Sequence, residues 1–182
     1  MKEQLLLNST EVNRIIREIS EAIFKSIIDI DHFAIVGVHT RGVELANRVQ
    51  KQIEELSGSK VKSGILDVTF HRDDLATRGM LPVIKETRIN FDITKMRILL
   101  VDDVLFTGRT TKAALETLTS FGRPSSIQLF VMVDRGNREL PIQPDYCGYS
   151  IDTHIHDSVK VMLSEIDDTE DSVVLSRKQD QD

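Results

Sequence analysis

The sequence predicts an α/β fold: a central, mostly parallel sheet with helices on both faces. Three observations predict it. Unbroken apolar runs recur at Phe33–Val38, Ile98–Val101 and within Ser126–Val133, as in strands covered on both faces. Segments of helical period stand between such runs, the alternation of crossover topology. Four strands end in polar turns: Thr40-Arg41-Gly42, Arg72-Asp73-Asp74, Asp102-Asp103 and Asp134-Arg135. Ligands of open α/β sheets bind beyond the carboxyl ends of the strands, so convergent turns of this kind read as a small-molecule site.

Bulk properties agree with that reading and exclude others. The 182 residues suit one domain spanning 1–182, with about 172–182 expected to fray. Twenty-nine acidic residues against 23 basic ones leave a net charge of −6, which argues against indiscriminate nucleic-acid binding. One cysteine, Cys147, excludes an internal disulfide and fits a reducing compartment. No apolar run reaches the length of a membrane span, and Met1-Lys2-Glu3-Gln4 lacks a signal peptide's apolar core. The expectation is a cytoplasmic protein. No Gly-x-x-x-x-Gly-Lys-Ser/Thr loop occurs, which disfavours a P-loop nucleotidase.

The elements follow in order. Asn8 and Glu11 form a capping-box pattern before Val12, Ile15, Ile16, Ile19, Ile23 and Ile27, so about 9–28 is an amphipathic helix. Phe33–Val38 is a buried strand that ends in His39-Thr40-Arg41-Gly42. Leu45, Val49, Ile53 and Leu56 mark the next helix, closed by Gly58. Val61–Phe70 reads as a strand, and some twenty residues of weak periodicity separate its end from Phe91; a loop that long is usually functional or mobile. After Ile98–Val101, the positions Ala114, Leu115, Leu118 and Phe121 give a helix its core face, with Gly122 and Pro124 ending it. Ser126–Val133 is another strand; Pro141 and Pro144 break the chain; Val159–Leu163 is a late short strand. From Glu165 onward polar and acidic residues dominate, and Asp167–Asp171 reads as a solvated run. His154 and His156 would share a face of a strand, a polar surface position and not a metal site.

The most specific stretch is Ile98-Leu99-Leu100-Val101-Asp102-Asp103-Val104-Leu105-Phe106-Thr107-Gly108-Arg109-Thr110. A buried strand leads to two carboxylates, a small-residue turn and a helix N-terminus. Free amides and the positive dipole end suit a phosphate. The carboxylates suit a ligand that carries hydroxyls beside that phosphate, as a sugar phosphate does. This order of residues resembles the phosphoribosyl-pyrophosphate (PRPP) signature of the type I phosphoribosyltransferases. Together with Thr40-Arg41-Gly42, Arg72-Asp73-Asp74-Leu75, Gly122–Leu129 and Val133–Ile142, it is similar to the bifunctional pyrimidine-operon attenuator/uracil phosphoribosyltransferase family, PyrR, from about residue 5 to 165.

The resemblance implies the type I phosphoribosyltransferase fold with a small hood. It also implies a reaction in which uracil and PRPP give uridine monophosphate (UMP) and pyrophosphate, with Mg²⁺ held mainly through PRPP and no direct metal ligand on the protein. Residues 98–110 would bind PRPP. Asp102 and Asp103 would accept hydrogen bonds from the ribose hydroxyls and offset positive charge as pyrophosphate leaves. Thr107, Gly108, Arg109 and Thr110 would hold the 5′-phosphate. Thr40, Arg41 and Gly42 would form the pyrophosphate loop, which in the family contains a non-proline cis peptide. Arg72 would meet the leaving pyrophosphate from a loop closing over the site. Uracil would lie near Phe106, Val133, Asp134 and Arg135; purine enzymes typically carry an acidic residue where Phe106 stands. Catalysis would rest on positioning and electrostatics, without a covalent nucleophile.

The family also binds pyrimidine-operon leader RNA through a basic concave face of a dimer, with UMP as effector. Arg17 and Arg138 match basic positions of that face. Gln143, Tyr149, Glu21 and Ser26 stand where basic residues are common, and each lost cation removes a phosphate contact. Family precedent implies a homodimer or higher assembly.

Overall fold

The computed structural model describes residues 2–68 and 86–177. In chain order the elements begin with β1 (Lys2–Leu7), α1 (Ser9–Ser26), β2 (Phe33–Val38), α2 (Arg41–Ser57), β3 (Lys62–Leu66) and β4 (Arg97–Leu105). They continue with α3 (Arg109–Ser120), β5 (Ser126–Asp134), β6 (Tyr146–Ser150), β7 (Ser158–Met162), α4 (Ser164–Asp167) and β8 (Ser172–Arg177). Five strands form a parallel sheet in the order β3-β2-β4-β5-β6. The other three form an antiparallel sheet, β1-β8-β7.

Strand alternation feeds two cores. Ile35, Leu99, Val101, Phe130 and Met132 pack with α1, α2 and the second sheet. Their neighbours Ala34, Val36, Ile98, Leu100 and Val131 pack with Ala113, Ala114 and Leu118 of α3 on the other face. Full burial of each large aliphatic side chain is worth roughly 1.5–3 kcal/mol. α1 starts with the expected capping box: Asn8 Oδ1 accepts from Glu11 N at 3.0 Å, and Glu11 Oε2 accepts from Asn8 N at 2.8 Å. Phe121, expected on the core face of α3, is instead exposed beyond its end.

Both ends of the described chain correct the sequence reading. Residues 172–177 do not fray: they are β8, with Val173 and Leu175 in the core. The charged opening segment is β1, paired antiparallel with β8 from Lys2↔Arg177 onward. Each strand is short, and β1 pairs only with β8 while β8 is held between β1 and β7, so neither carries a strong local signal. β6 follows Pro144 as the sheet's edge strand. His154 and His156 lie exposed in the turn before β7, not on a strand.

The acidic run is solvated only in part: Asp168, Thr169 and Glu170 are exposed, but Asp167 and Asp171 are not. Arg48 of α2 donates Nη1 to Asp171 Oδ2 at 2.5 Å and Nη2 to Glu165 Oε2 at 2.6 Å, and the Asp171 side chain is only 6% exposed. The hydrogen bond from Arg48 holds the Asp171 carboxyl below its ordinary value of 3.8 despite burial. A carboxylate depressed in the folded state contributes stability above its unfolded pKa and loses it as pH falls through the folded value. Acid unfolding of the wild type should therefore include the loss of this pair below about pH 4. Arg48→Ala should cost about 3 kcal/mol at pH 7 by stranding Asp171, and the difference between variant and wild type should shrink toward pH 2 in denaturant titrations.

Candidate active site

The site builds on the carboxyl ends of β2, β4 and β5. At the end of β2 the His39–Thr40 peptide is cis, as the resemblance implies for this loop. Thr40 is the N-cap of α2 and makes no side-chain cap hydrogen bond. Gly42 lies against β4: a Cβ built there would stand 2.5 Å from Val101 O and 3.0 Å from Asp102 Cα. The first turn of α2 thus touches the backbone at the start of the carboxylate pair. Arg41 donates Nη2 to Asp167 Oδ1 at 2.6 Å and Nε to Asp167 Oδ2 at 3.3 Å.

Asp102 and Asp103 are inside β4 and not in a turn after it. The strand runs on to Leu105 because β5 pairs with it that far: Asp102↔Val131, Val104↔Val133 and Leu105↔Asp134. Asp102 is 4% exposed, and its Oδ1 accepts from Asp103 N at 2.9 Å. Asp103 is half-buried, and its Oδ1 accepts from Val104 N at 3.0 Å. Of the residues expected to bind PRPP, Ile98, Leu99, Leu100, Val101 and Leu105 have their side chains in the two cores. Their part is to hold the strand; Val104 is partly buried against one core.

Beyond β4 the chain turns at Phe106-Thr107-Gly108 into α3. Gly108, at φ 92°, is the N-cap. A side chain there would also press on Leu140 and Ile142, 3.4 Å away. Thr107 Oγ1 accepts from Arg109 N at 3.3 Å, and the first turn of α3 carries no acidic residue. Its amides and dipole end are suited to an anion. Arg109 pairs with Glu139 at 2.6 Å.

The β5 loop is fastened to this turn. Thr107 O accepts from Glu139 N at 3.0 Å and Leu140 N at 3.2 Å, and Leu105 O accepts from Arg135 N at 3.0 Å. The Arg135 guanidinium stacks 3.9 Å over the Phe106 ring centroid, a cation–π arrangement. It donates to Thr153 Oγ1 and His154 O. Burial pulls its pKa down, and the nearby Asp157 charge acts the other way. Phe106, Asp134 and Arg135 therefore come together as expected. Val133 does not join them; its side chain is in the core.

Arg138, expected as an RNA contact, is tied into its own loop. Its Nε donates to Ile142 O, Nη1 to Phe106 O and Gly136 O, and Nη2 to Asp134 Oδ2. A guanidinium with these donors spent on its own loop has little left for phosphate. It splints the base-side loop instead. Arg17 remains exposed on α1. Arg72 and the loop it opens lie outside the described residues. Sequence reasoning missed Asp167 and the loop-splinting role of Arg138, because their partners are distant in sequence or are backbone carbonyls.

Known proteins match this geometry. The phosphoribosyl transferase domain family matches residues 4–165. A protein of Deinococcus radiodurans named "Bifunctional protein PyrR" is 47% identical over 165 residues, covering 91% of this chain and 90% of that one. Proteins with the same name from Thermus aquaticus and Clostridioides difficile are 46% and 45% identical, each over more than nine-tenths of both chains. Among solved structures, a Trypanosoma cruzi hypoxanthine phosphoribosyl transferase superposes with a TM-score of 0.71 at 15% identity, covering 96% of this chain and 91% of that one. A Bacillus anthracis hypoxanthine-guanine enzyme gives 0.66 at 14%, covering 85% of each. Those two show the shared fold alone. On this family match and these relatives, and with the carboxylate pair on the central strand, the chain belongs to the PyrR family of type I phosphoribosyltransferases.

Proposed function

We propose that this phosphoribosyltransferase makes UMP and pyrophosphate from uracil and PRPP. The observation that carries the reading is the placement of one carboxylate pair between two helix N-termini. α2 abuts β4 at Val101–Asp102 through Gly42, and α3 starts three residues after β4 ends. Two cradles for anions with hydroxyl acceptors between them fit a sugar bearing a diphosphate at C1 and a phosphate at C5. In this reading the α3 N-terminus takes the 5′-phosphate and the Thr40-Arg41-Gly42 loop the pyrophosphate. Asp103, the more exposed carboxylate, takes the ribose hydroxyls, and Asp102 fixes its backbone from beneath. Both negative charges favour an oxocarbenium-like centre as the C1–O bond breaks, its electron pair leaving with pyrophosphate, and uracil N1 bonds to C1 and releases its proton to the pyrophosphate or to water. Arg72 would meet the departing group.

Among the described residues, no group of three or more His, Cys, Asp or Glu is placed to hold a metal. In this reading Mg²⁺ enters on PRPP, where it would neutralise charge on the leaving pyrophosphate. Phe106, backed by Arg135, offers an aromatic platform for the base and no carboxylate for a purine imidazole nitrogen. Cytoplasmic location and a dimer or larger assembly complete the proposal; no described helix is long and apolar enough to cross a membrane.

A base panel tests the assignment. With PRPP and Mg²⁺, uracil should be converted to UMP, and hypoxanthine and guanine should be inert. Turnover of a purine without uracil would refute the base assignment. A second function, binding of leader RNA under UMP control, is favoured by the "bifunctional" name of the relatives. Nanomolar, UMP-enhanced, salt-sensitive retention of leader RNA by the same preparation would support it; no retention would confine the protein to catalysis.

A further inference from the structure

We propose that Asp167 is a positioning residue for the pyrophosphate loop: it grips one edge of the Arg41 guanidinium and leaves the other for the diphosphate of PRPP. This rests on the phosphoribosyl-transfer reading.

The contact is side-on. Asp167 takes Nη2 of Arg41 at 2.6 Å and Nε at 3.3 Å. Among the described residues, Nη1 has no hydrogen-bond partner. A guanidinium offers five N–H groups in a rigid fork, and its Nη1/Nη2 end can meet a second oxyanion while its side edge is engaged. Asp167 is itself held. Its Oδ2 accepts from Leu163 N at 2.9 Å, and its own N donates to Leu163 O at 2.9 Å. The two side chains are 11% and 27% exposed, so neither swings freely in water. Burial is the largest influence on Asp167 and opposes its ionisation, but the hydrogen bonds from Arg41 and Leu163 N and the nearby positive charges together keep the pKa below its ordinary value.

The grip is part of a larger one. Arg48 stands seven residues after Arg41, two turns along the same face of α2. Glu165 and Asp171 hold Arg48 as Asp167 holds Arg41. The segment from Ser164 to Asp171 therefore clamps α2 at its first turn and again two turns on. An arginine fixed before the substrate arrives loses less freedom on binding phosphate than one that must be ordered by it. The alternative, that Asp167 competes with the diphosphate for Arg41, predicts the opposite sign.

The test uses the full chain with Asp167→Ala, Asp167→Asn, Arg41→Ala and the double variant Asp167→Ala/Arg41→Ala. KM for PRPP and for uracil, kcat and the Kd of inorganic pyrophosphate by calorimetry are measured beside thermal unfolding. Asp167→Ala should raise the PRPP KM and the pyrophosphate Kd about tenfold, with the uracil KM unchanged. In the Arg41→Ala background it should add nothing. Asp167→Asn keeps an acceptor for Leu163 N and gives a smaller rise, and it stands in if the alanine variant does not fold. An unchanged or lowered PRPP KM, or effects that simply add in the double variant, would overturn the inference. If the wild type makes no UMP yet binds pyrophosphate with this Arg41–Asp167 dependence, the transfer reading fails and the positioning role stands. Failure of the wild type to bind pyrophosphate sinks both.

Discussion

Asp102→Asn with Asp103→Asn is expected to lower the rate of UMP formation by about 10²–10³-fold, with little change in melting temperature. The two effects separate because the substitution removes charge and keeps shape. Asparagine at 102 still offers an oxygen to Asp103 N, and asparagine at 103 still offers one to Val104 N, replacing the bonds seen at 2.9 and 3.0 Å. The developing positive charge at the sugar loses two nearby anions. Alanine behaves differently at the two positions. Asp102 is buried within β4, so Asp102→Ala should cost about 1–3 kcal/mol by leaving Asp103 N without its acceptor. Asp103→Ala, at a half-buried position, should cost less and damage turnover more selectively. Steady-state rates and denaturant unfolding on the three variants check this. Full activity in the double asparagine variant would remove the pair from the mechanism.

Gly42→Ala should be the most damaging small substitution in the chain. The added methyl would lie 2.5 Å from Val101 O and 3.3 Å from Val101 C. These are backbone atoms of the central strand and cannot rotate aside. Relief requires α2 to withdraw from β4, which separates the pyrophosphate loop from the carboxylates. We expect a loss of about 3 kcal/mol together with a raised KM for PRPP. Gly58→Ala is the control. Gly58 sits at φ 68° with nothing within 4 Å of a built Cβ, so the change should cost about 1–2 kcal/mol of backbone strain and leave the PRPP KM unchanged. Equal KM effects from the two substitutions would refute the spatial argument.

The parts of the fold that were legible have signals within one stretch of chain. The capping box and helical period announced α1, and the unbroken aliphatics announced β2, β4 and β5. The carboxylate pair and Gly108 were legible as a site for the same reason: strand, acid, turn and helix follow one another directly. What the sequence did not show depends on partners far away. Where β4 ends is decided by β5, which pairs as far as Leu105↔Asp134. β1 is a strand only because β8 pairs with it, and β8 because it lies between β1 and β7. The acidic run reads as solvated until Arg41 and Arg48, more than a hundred positions earlier, are placed against it. One trace of that pairing was present: two arginines seven apart on a helix whose inward positions are otherwise Leu45, Val49 and Ile53. The fastening of Arg138 was hidden for another reason. A basic residue in a loop advertises charge, and only the structure shows its donors taken by Ile142, Phe106, Gly136 and Asp134.

The antiparallel sheet joins positions 2–7 to positions 172–177, and this bears on the order in which the molecule can be assembled. Closing so long a loop carries the largest entropic cost of any strand pairing among the described residues, and it can occur only after residues 172–177 have left the ribosome. A nascent chain ending at residue 163 already contains every strand of the parallel sheet, both helix N-termini and the carboxylate pair. It contains none of Glu165, Asp167 and Asp171. At that stage Arg41 and Arg48 lack the carboxylates that hold them in the folded chain, so the first turns of α2 are fastened only once residues 164–171 have followed the sheet.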